Sequence, residues 1–162
     1  GRGDLKMIRW SVEQGAPWDK NEPPIFSEYL GPASNAARGG NLEILQIAIA
    51  NGCAWHEDVC GTAVSEGHFE MLKWAREHGC PWSNFICSSA AYYGHLEILK
   101  WIRENGGQWD KHTIVAAADG GHLEALKWLR EQGCPLDRAL VSNAAKKHPN
   151  IHKWLKEEGL ID

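Results

Sequence analysis

Residues 94–109 read GHLEILKWIRENGGQW. At 100° per residue, Ile98, Leu99, Trp101 and Ile102 fall within an arc of roughly 160°. Glu97, Lys100, Arg103 and Glu104 lie opposite, and Lys100 and Glu104 stand at the i,i+4 spacing that weakly favours helix. Gly106 supplies a residue that readily turns left-handed, so the stretch predicts an amphipathic helix ending there. An apolar arc this wide needs neighbours on more than one side.

The same pattern recurs up and down the chain. GNLEILQIAIANGCAW begins at Gly40, GHFEMLKWAREHGCPW at Gly67 and GHLEALKWLREQGCPL at Gly121, each start 27 residues from the next when Gly94 is included. A degenerate copy, KHPNIHKWLKEEGLID, begins one residue early at Lys147, and GDLKMIRWSVEQGAPW stands at Gly3. The tripeptide Arg2-Gly3-Asp4, which spells an integrin-recognition signal, is therefore a chance spelling of the repeat. Gly52, Gly79 and Gly133 match Gly106, and Pro81 and Pro135 follow to prevent continuation.

Between these helices run FICSSAAYYG (85–94), TIVAAADGG (113–121) and LVSNAAKK (140–147), which share a central pair of alanines. They predict a second, shorter helix whose small residues permit close approach. Ser83, Asp110 and Asp137 stand where they can cap it. One such two-helix unit cannot bury its apolar face alone, whereas a stack of units can.

The order A-A-x-x-G-H-L-E-x-L-K, followed by E-x-G-C/A-x, resembles the ankyrin repeat over about residues 33–158, with residues 3–18 as half a repeat. Two departures mark a short, Trp-rich variety. The period is 27 residues against the family's usual 33 or so, the missing stretch falling where the long β-hairpin finger projects. The T-P-L-H signature is replaced by Phe85-Ile86-Cys87-Ser88 and His112-Thr113-Ile114-Val115. The resemblance implies an all-α fold, an α-solenoid of stacked antiparallel helix pairs. It makes residues 1–162 one repeat domain: half repeat 1–18, insertion-containing linker 19–32, repeats from 33 to 158, and an atypical C-terminal cap at 139–162. The rival is a leucine-rich repeat, since Leu96, Leu99 and Trp101 fit L-x-x-L-x-L. That fold would bury Glu77, Glu104 and Glu131 without partners, at high cost.

Composition excludes several functions. The formal net charge of -4 argues against a nucleic-acid or anionic-membrane surface. No apolar run is long enough to span a bilayer and no signal-peptide pattern opens the chain. Five cysteines in no disulfide framework point to a reducing compartment, hence an intracellular protein, cytoplasmic or nuclear. Lacking an initiator Met and opening inside a unit, the chain is expected to be a fragment with further repeats upstream.

Nine tryptophans form two series. Trp10, Trp74, Trp101, Trp128 and Trp154 share one register with Ile47; Trp18, Trp55, Trp82 and Trp109 share another with Leu136. Replacement by Ile and Leu says that apolar bulk is required, which predicts inter-repeat core; the alternative is an aromatic ligand platform. The C-x6-C pairs Cys53/Cys60 and Cys80/Cys87, near His56 and His78, raise a zinc alternative, but their spacing is that of the repeat and not of a zinc site. Buried, small apolar cysteine is the expectation. His68, His95 and His122 are expected to bridge the turn between helices by hydrogen bonds. No catalytic constellation stands out, so neither enzyme activity, cofactor nor metal is expected.

The resemblance implies that a protein partner meets the concave face, formed by the first helix of each pair and the loop before it. The positions just before its turn are Arg38-Gly39, Ser65-Glu66, Tyr92-Tyr93, Asp119-Gly120 and Lys146-Lys147, with Asn35, Thr62, Ser89, Ala116 and Asn143 one turn earlier. These vary while the frame repeats. The candidate binding residues are Tyr92, Tyr93, Phe85, Glu66, Ser65, Arg38 and Asp119, the tyrosines foremost because Tyr is enriched in binding hot spots. The insertion DKNEPPIFSEYLGP (19–32) is a second candidate loop, or padding. In the last unit Pro149 opens the second helix and His152 replaces Leu126, which suits a polar cap. A monomeric protein-interaction scaffold is the resulting expectation; a ligand- or metal-binding domain and a structural spacer are the alternatives.

Overall fold

The computed structural model describes residues 32–161. The half repeat, the Arg2-Gly3-Asp4 tripeptide, Trp10, Trp18 and the linker as far as Gly31 lie outside the described residues. Among the described residues there are ten helices and no strand. They are α1 (Pro32–Arg38), α2 (Leu42–Ala50), α3 (Glu57–Ser65), α4 (Phe69–Glu77), α5 (Ile86–Tyr92), α6 (Leu96–Glu104), α7 (Lys111–Gly120), α8 (Leu123–Glu131), α9 (Arg138–Ala145) and α10 (Pro149–Glu157). The leucine-rich alternative fails here: α6 occupies the place of its strand, and Glu77, Glu104 and Glu131 are exposed.

The chain divides into two compact units, Gly1–Trp82 and Ser83–Asp162. In the first, α1 packs on α2 and on α3, and α3 on α4. In the second, α5, α7 and α9 stack in succession, each also packed on the helix that follows it. Within each unit, first helices thus touch first helices, and in the second unit the alanines explain why: Ala90, Ala91, Ala117, Ala118 and Ala145 are fully buried. Polar ties join the same helices, Ser34 Oγ donating to Asp58 at 2.8 Å and Ser88 Oγ lying 3.1 Å from Thr113 Oγ1.

The turns are built as their glycines require. At the end of α6, Gly106 has φ +88°, its N–H bonds Arg103 O at 3.2 Å, and the Gly107 N–H bonds Ile102 O at 2.8 Å. This pair of bonds satisfies carbonyls that the helix end would leave bare. Asp110 caps α7 in a reciprocal box with Thr113, and Asp137 accepts from the Ala139 and Leu140 amides at 3.1 and 3.2 Å. Ser83 acts one step earlier than expected: its Oγ accepts from Phe85 N at 3.3 Å, and α5 begins at Ile86 without a side-chain cap.

Two expectations are corrected. Lys100 pairs with Glu97 at 2.8 Å, an i,i+3 contact matched by Lys73–Glu70 and Lys127–Glu124, and not with Glu104. Among the described residues the tryptophans are not in the fully buried layer. Trp55, Trp74, Trp82, Trp101, Trp109, Trp128 and Trp154 are all half-buried, as are Ile47 and Leu136 in the same registers. The buried layer is aliphatic: Leu45, Leu72, Leu99, Ile102, Leu126, Leu129, Ile151 and Leu155 are inaccessible.

Candidate functional site

The buried stripe of α5 is Ile86, Cys87, Ala90 and Ala91, so the next two residues emerge from the packed surface. Tyr92 and Tyr93 are 44% and 49% exposed, and their rings meet edge-on at 5.1 Å and 86°. Tyr93 also lies 6.5 Å from the His95 ring, nearly parallel. Beneath them the backbone is held tightly, because a Cβ at Gly120 would collide with the Tyr92 carbonyl oxygen. A glycine at the end of α7 therefore lets that helix end dock against the tyrosine shelf.

Asp119, one repeat along from Tyr92, binds Lys147 Nζ at 2.8 Å, and its carbonyl oxygen meets His148 Nε2 at 2.9 Å. The hydrogen bond and charge of Asp119 hold the Lys147 ammonium above its ordinary range, with a smaller contribution from Tyr92. Asp119 is thus half-buried in an ion pair beside the tyrosines.

Phe85 is 68% exposed at the other end of α5, seven positions before Tyr92, about 10 Å along the axis. It shares the helix face with Tyr92 but is not brought beside it. In the first unit, Arg38 ends α1 and is exposed, and Glu66 is the exposed C-cap of α3. Ser65 is half-buried with its Oγ donating to Thr62 O at 3.0 Å. Of the positions one turn earlier, Asn35 and Asn143 are exposed, while Thr62, Ser89 and Ala116 are half-buried.

Two of the turn histidines, His68 and His122, pack against glycines. His68 and His122 start α4 and α8 without capping them through the side chain. Their rings lie where a Cβ on Gly40 and Gly94 would stand. The turn glycine of one pair is a flat seat for the imidazole of the next. His148 sits so against Gly121 and also bonds the Asp119 carbonyl oxygen across the turn.

A motif that the sequence reading did not single out is R-E-x-G-x-x-W. The Arg76 guanidinium lies 4.1 Å over the Trp82 ring and donates to Cys80 O at 3.2 Å. Arg103 does the same with Trp109 at 4.1 Å and Gly107 O at 3.1 Å. Two loop tryptophans also meet one from the next pair's second helix, Trp55 with Trp74 at 5.9 Å and Trp109 with Trp128 at 5.7 Å. The recurrence of Arg six residues before Trp was the available signal.

Cys60 is hydrogen-bonded to Cys80, 20 positions along the chain, which pushes its thiol far up, and burial acts in the same direction. Cys87 and Cys134 are pushed up to about 11, in each case chiefly by burial. Cys60, Cys87 and Cys134, held in that form, are poor ligands and nucleophiles, whereas the bond from Cys60 lowers Cys80. Among the described residues no three His, Cys, Asp or Glu side chains gather as a metal ion would require, and no helix is long and apolar enough to cross a membrane. No protein-family model matches the chain, and no curated protein matches it either.

Proposed function

We propose that the chain is an ankyrin-like helical solenoid of the short, fingerless kind, which binds a protein partner along the concave strip at the ends of its first helices. The observation that carries this reading is the Tyr92–Tyr93 shelf: two large rings, 44% and 49% exposed, on backbone fixed by the close approach of Gly120. Rigid aromatic side chains in such a setting offer contact area at little entropic cost. The 27-residue repeat, the stacked first helices within each unit and the Gly–His seats support the solenoid. Asp119 and Phe85 are further candidate contacts in the same unit, and Arg38, Ser65 and Glu66 are candidates in the first unit. The protein acts without catalysis, cofactor or metal, as an intracellular monomer. Its five free cysteines suit a reducing compartment.

Selection of binders from a displayed random-peptide library tests the proposal. Selected peptides should lose about tenfold or more in affinity for the Tyr92→Ala/Tyr93→Ala variant, since truncated hot spots cost upwards of about 2 kcal/mol. Failure to select any binder, or binders indifferent to both changes, would remove it. A second reading uses the half-exposed tryptophans as a ligand platform. Arg76 and Arg103 already cover the faces of Trp82 and Trp109, which weighs against it.

A further inference from the structure

The last helix pair differs from the others at the positions that are most deeply packed elsewhere. Leu99 and Leu126 are inaccessible, and their counterpart in α10 is the half-buried His152. Ile86 and Thr113 are each 1% exposed, and their counterpart in α9, Leu140, is 38% exposed. This side of the pair carries an open cleft of about 500 Å³, lined by Lys146, Pro149, His152, Lys153, Lys156 and Glu157.

The charges in the cleft do not cancel. Lys153 is paired with Glu157 at 3.6 Å, the one acid present. Lys146 donates to a neutral partner, Asn143 Oδ1, at 3.2 Å. Lys156 has no anionic partner among the described residues, since Glu158 turns to Arg130 at 4.0 Å. Two lysines therefore remain uncompensated in a chain whose formal net charge is -4, so the positive potential is local. Pro149 and the lysine stems supply apolar walls between the charges.

We propose that this cleft docks an acidic peptide segment, its carboxylates pairing with Lys146 and Lys156 while its backbone lies against Pro149. A polynucleotide is the poorer fit, because two uncompensated cations make no phosphate-tracking stripe. The proposal does not rest on the tyrosine shelf, and its test leaves the tyrosines in place.

A fluorescent, end-blocked oligoglutamate peptide, titrated into the whole chain, tests it by anisotropy. Saturable binding is expected, weakening as salt is raised. Lys146→Glu/Lys156→Glu should reduce affinity about tenfold, and Lys146→Gln/Lys156→Gln about threefold; circular dichroism confirms that both variants stay helical. Tyr92→Ala/Tyr93→Ala should bind the peptide as the parent does. Four results overturn the proposal: no binding, affinity unchanged in both lysine variants, equal binding of oligolysine, or displacement by a single-stranded oligonucleotide. A mass that doubles with concentration, together with loss of peptide binding, assigns the cleft to a second copy and overturns it equally.

Discussion

Gly94 carries two constraints. Its φ of +75° lies where a side chain is strained, and the His122 ring occupies the space a Cβ would need. Gly94→Ala should therefore cost about 2 kcal/mol or more, of which roughly 1–2 kcal/mol is backbone strain. Combining it with His122→Ala should relieve the ring contact but not the strain. The double variant, measured by urea unfolding, should then be less destabilised than the two single changes added together; strict additivity would deny the seat. The corrected place of tryptophan yields a second expectation. Leu99→Ala empties a sealed site and should cost about 3 kcal/mol. Trp101→Ala, at the half-buried rim, should cost less, about 2 kcal/mol, because part of its area was already wet. The reverse order would restore the indoles to the core. Thiol labelling gives a third check. Cys53 is half-buried while the other four are buried, so iodoacetamide should modify Cys53 first in the native chain. Uniform labelling would contradict this burial pattern.

At the scale of the element, the short first helices depend on their caps. Asp110→Ala removes the box with Thr113 and should cost about 1 kcal/mol, seen as a lower urea midpoint and faster amide exchange at the start of α7. Asp137 adds a pH dependence. The Leu140 amide first, then Lys111 and the Ala139 amide, hold its carboxyl below the ordinary 3.8 against a desolvation that raises it. A carboxyl depressed in the fold contributes stability that is full above its unfolded value. That contribution disappears as pH falls through the folded value, below 3.8. Asp137→Asn should therefore flatten the acid limb of the stability profile; an unchanged limb would show that the cap is not formed in solution. The end of α9 shows how a turn can lose a residue. The preceding first helix ends through Gly121 at φ +85°, whereas α9 ends at Lys146 at φ -56° and reaches His148 through Lys147 with no residue of positive φ. Omitting the left-handed residue explains why the last copy begins one place early.

For the whole molecule, scaffold and readout should separate. Tyr92→Ala/Tyr93→Ala should leave stability within about 0.5 kcal/mol, as surface changes do, while removing partner affinity. The last pair, with Leu140 partly uncovered, should exchange its amides faster than α5 to α8. The helices, their glycine turns and two of the three first-helix caps were legible in the chain, because 3.6-residue periodicity, left-handed glycines and Asp caps act over a few neighbouring residues. So was the exposure of Tyr92 and Tyr93, which follow directly from the Ala90-Ala91 stripe. What the tryptophans cover was not legible: bulk in a repeated register says that a side chain packs, not which edge of it stays wet. Nor were Cys60 against Cys80, Lys147 on Asp119 or His122 on Gly94, since each joins residues 20 or more places apart. The sequence by itself determined the repeating two-helix unit, because that is written in local spacing. Only the tertiary structure decided the partners across pairs, because they depend on how far one pair is shifted against the next, a distance set by the summed packing of many side chains.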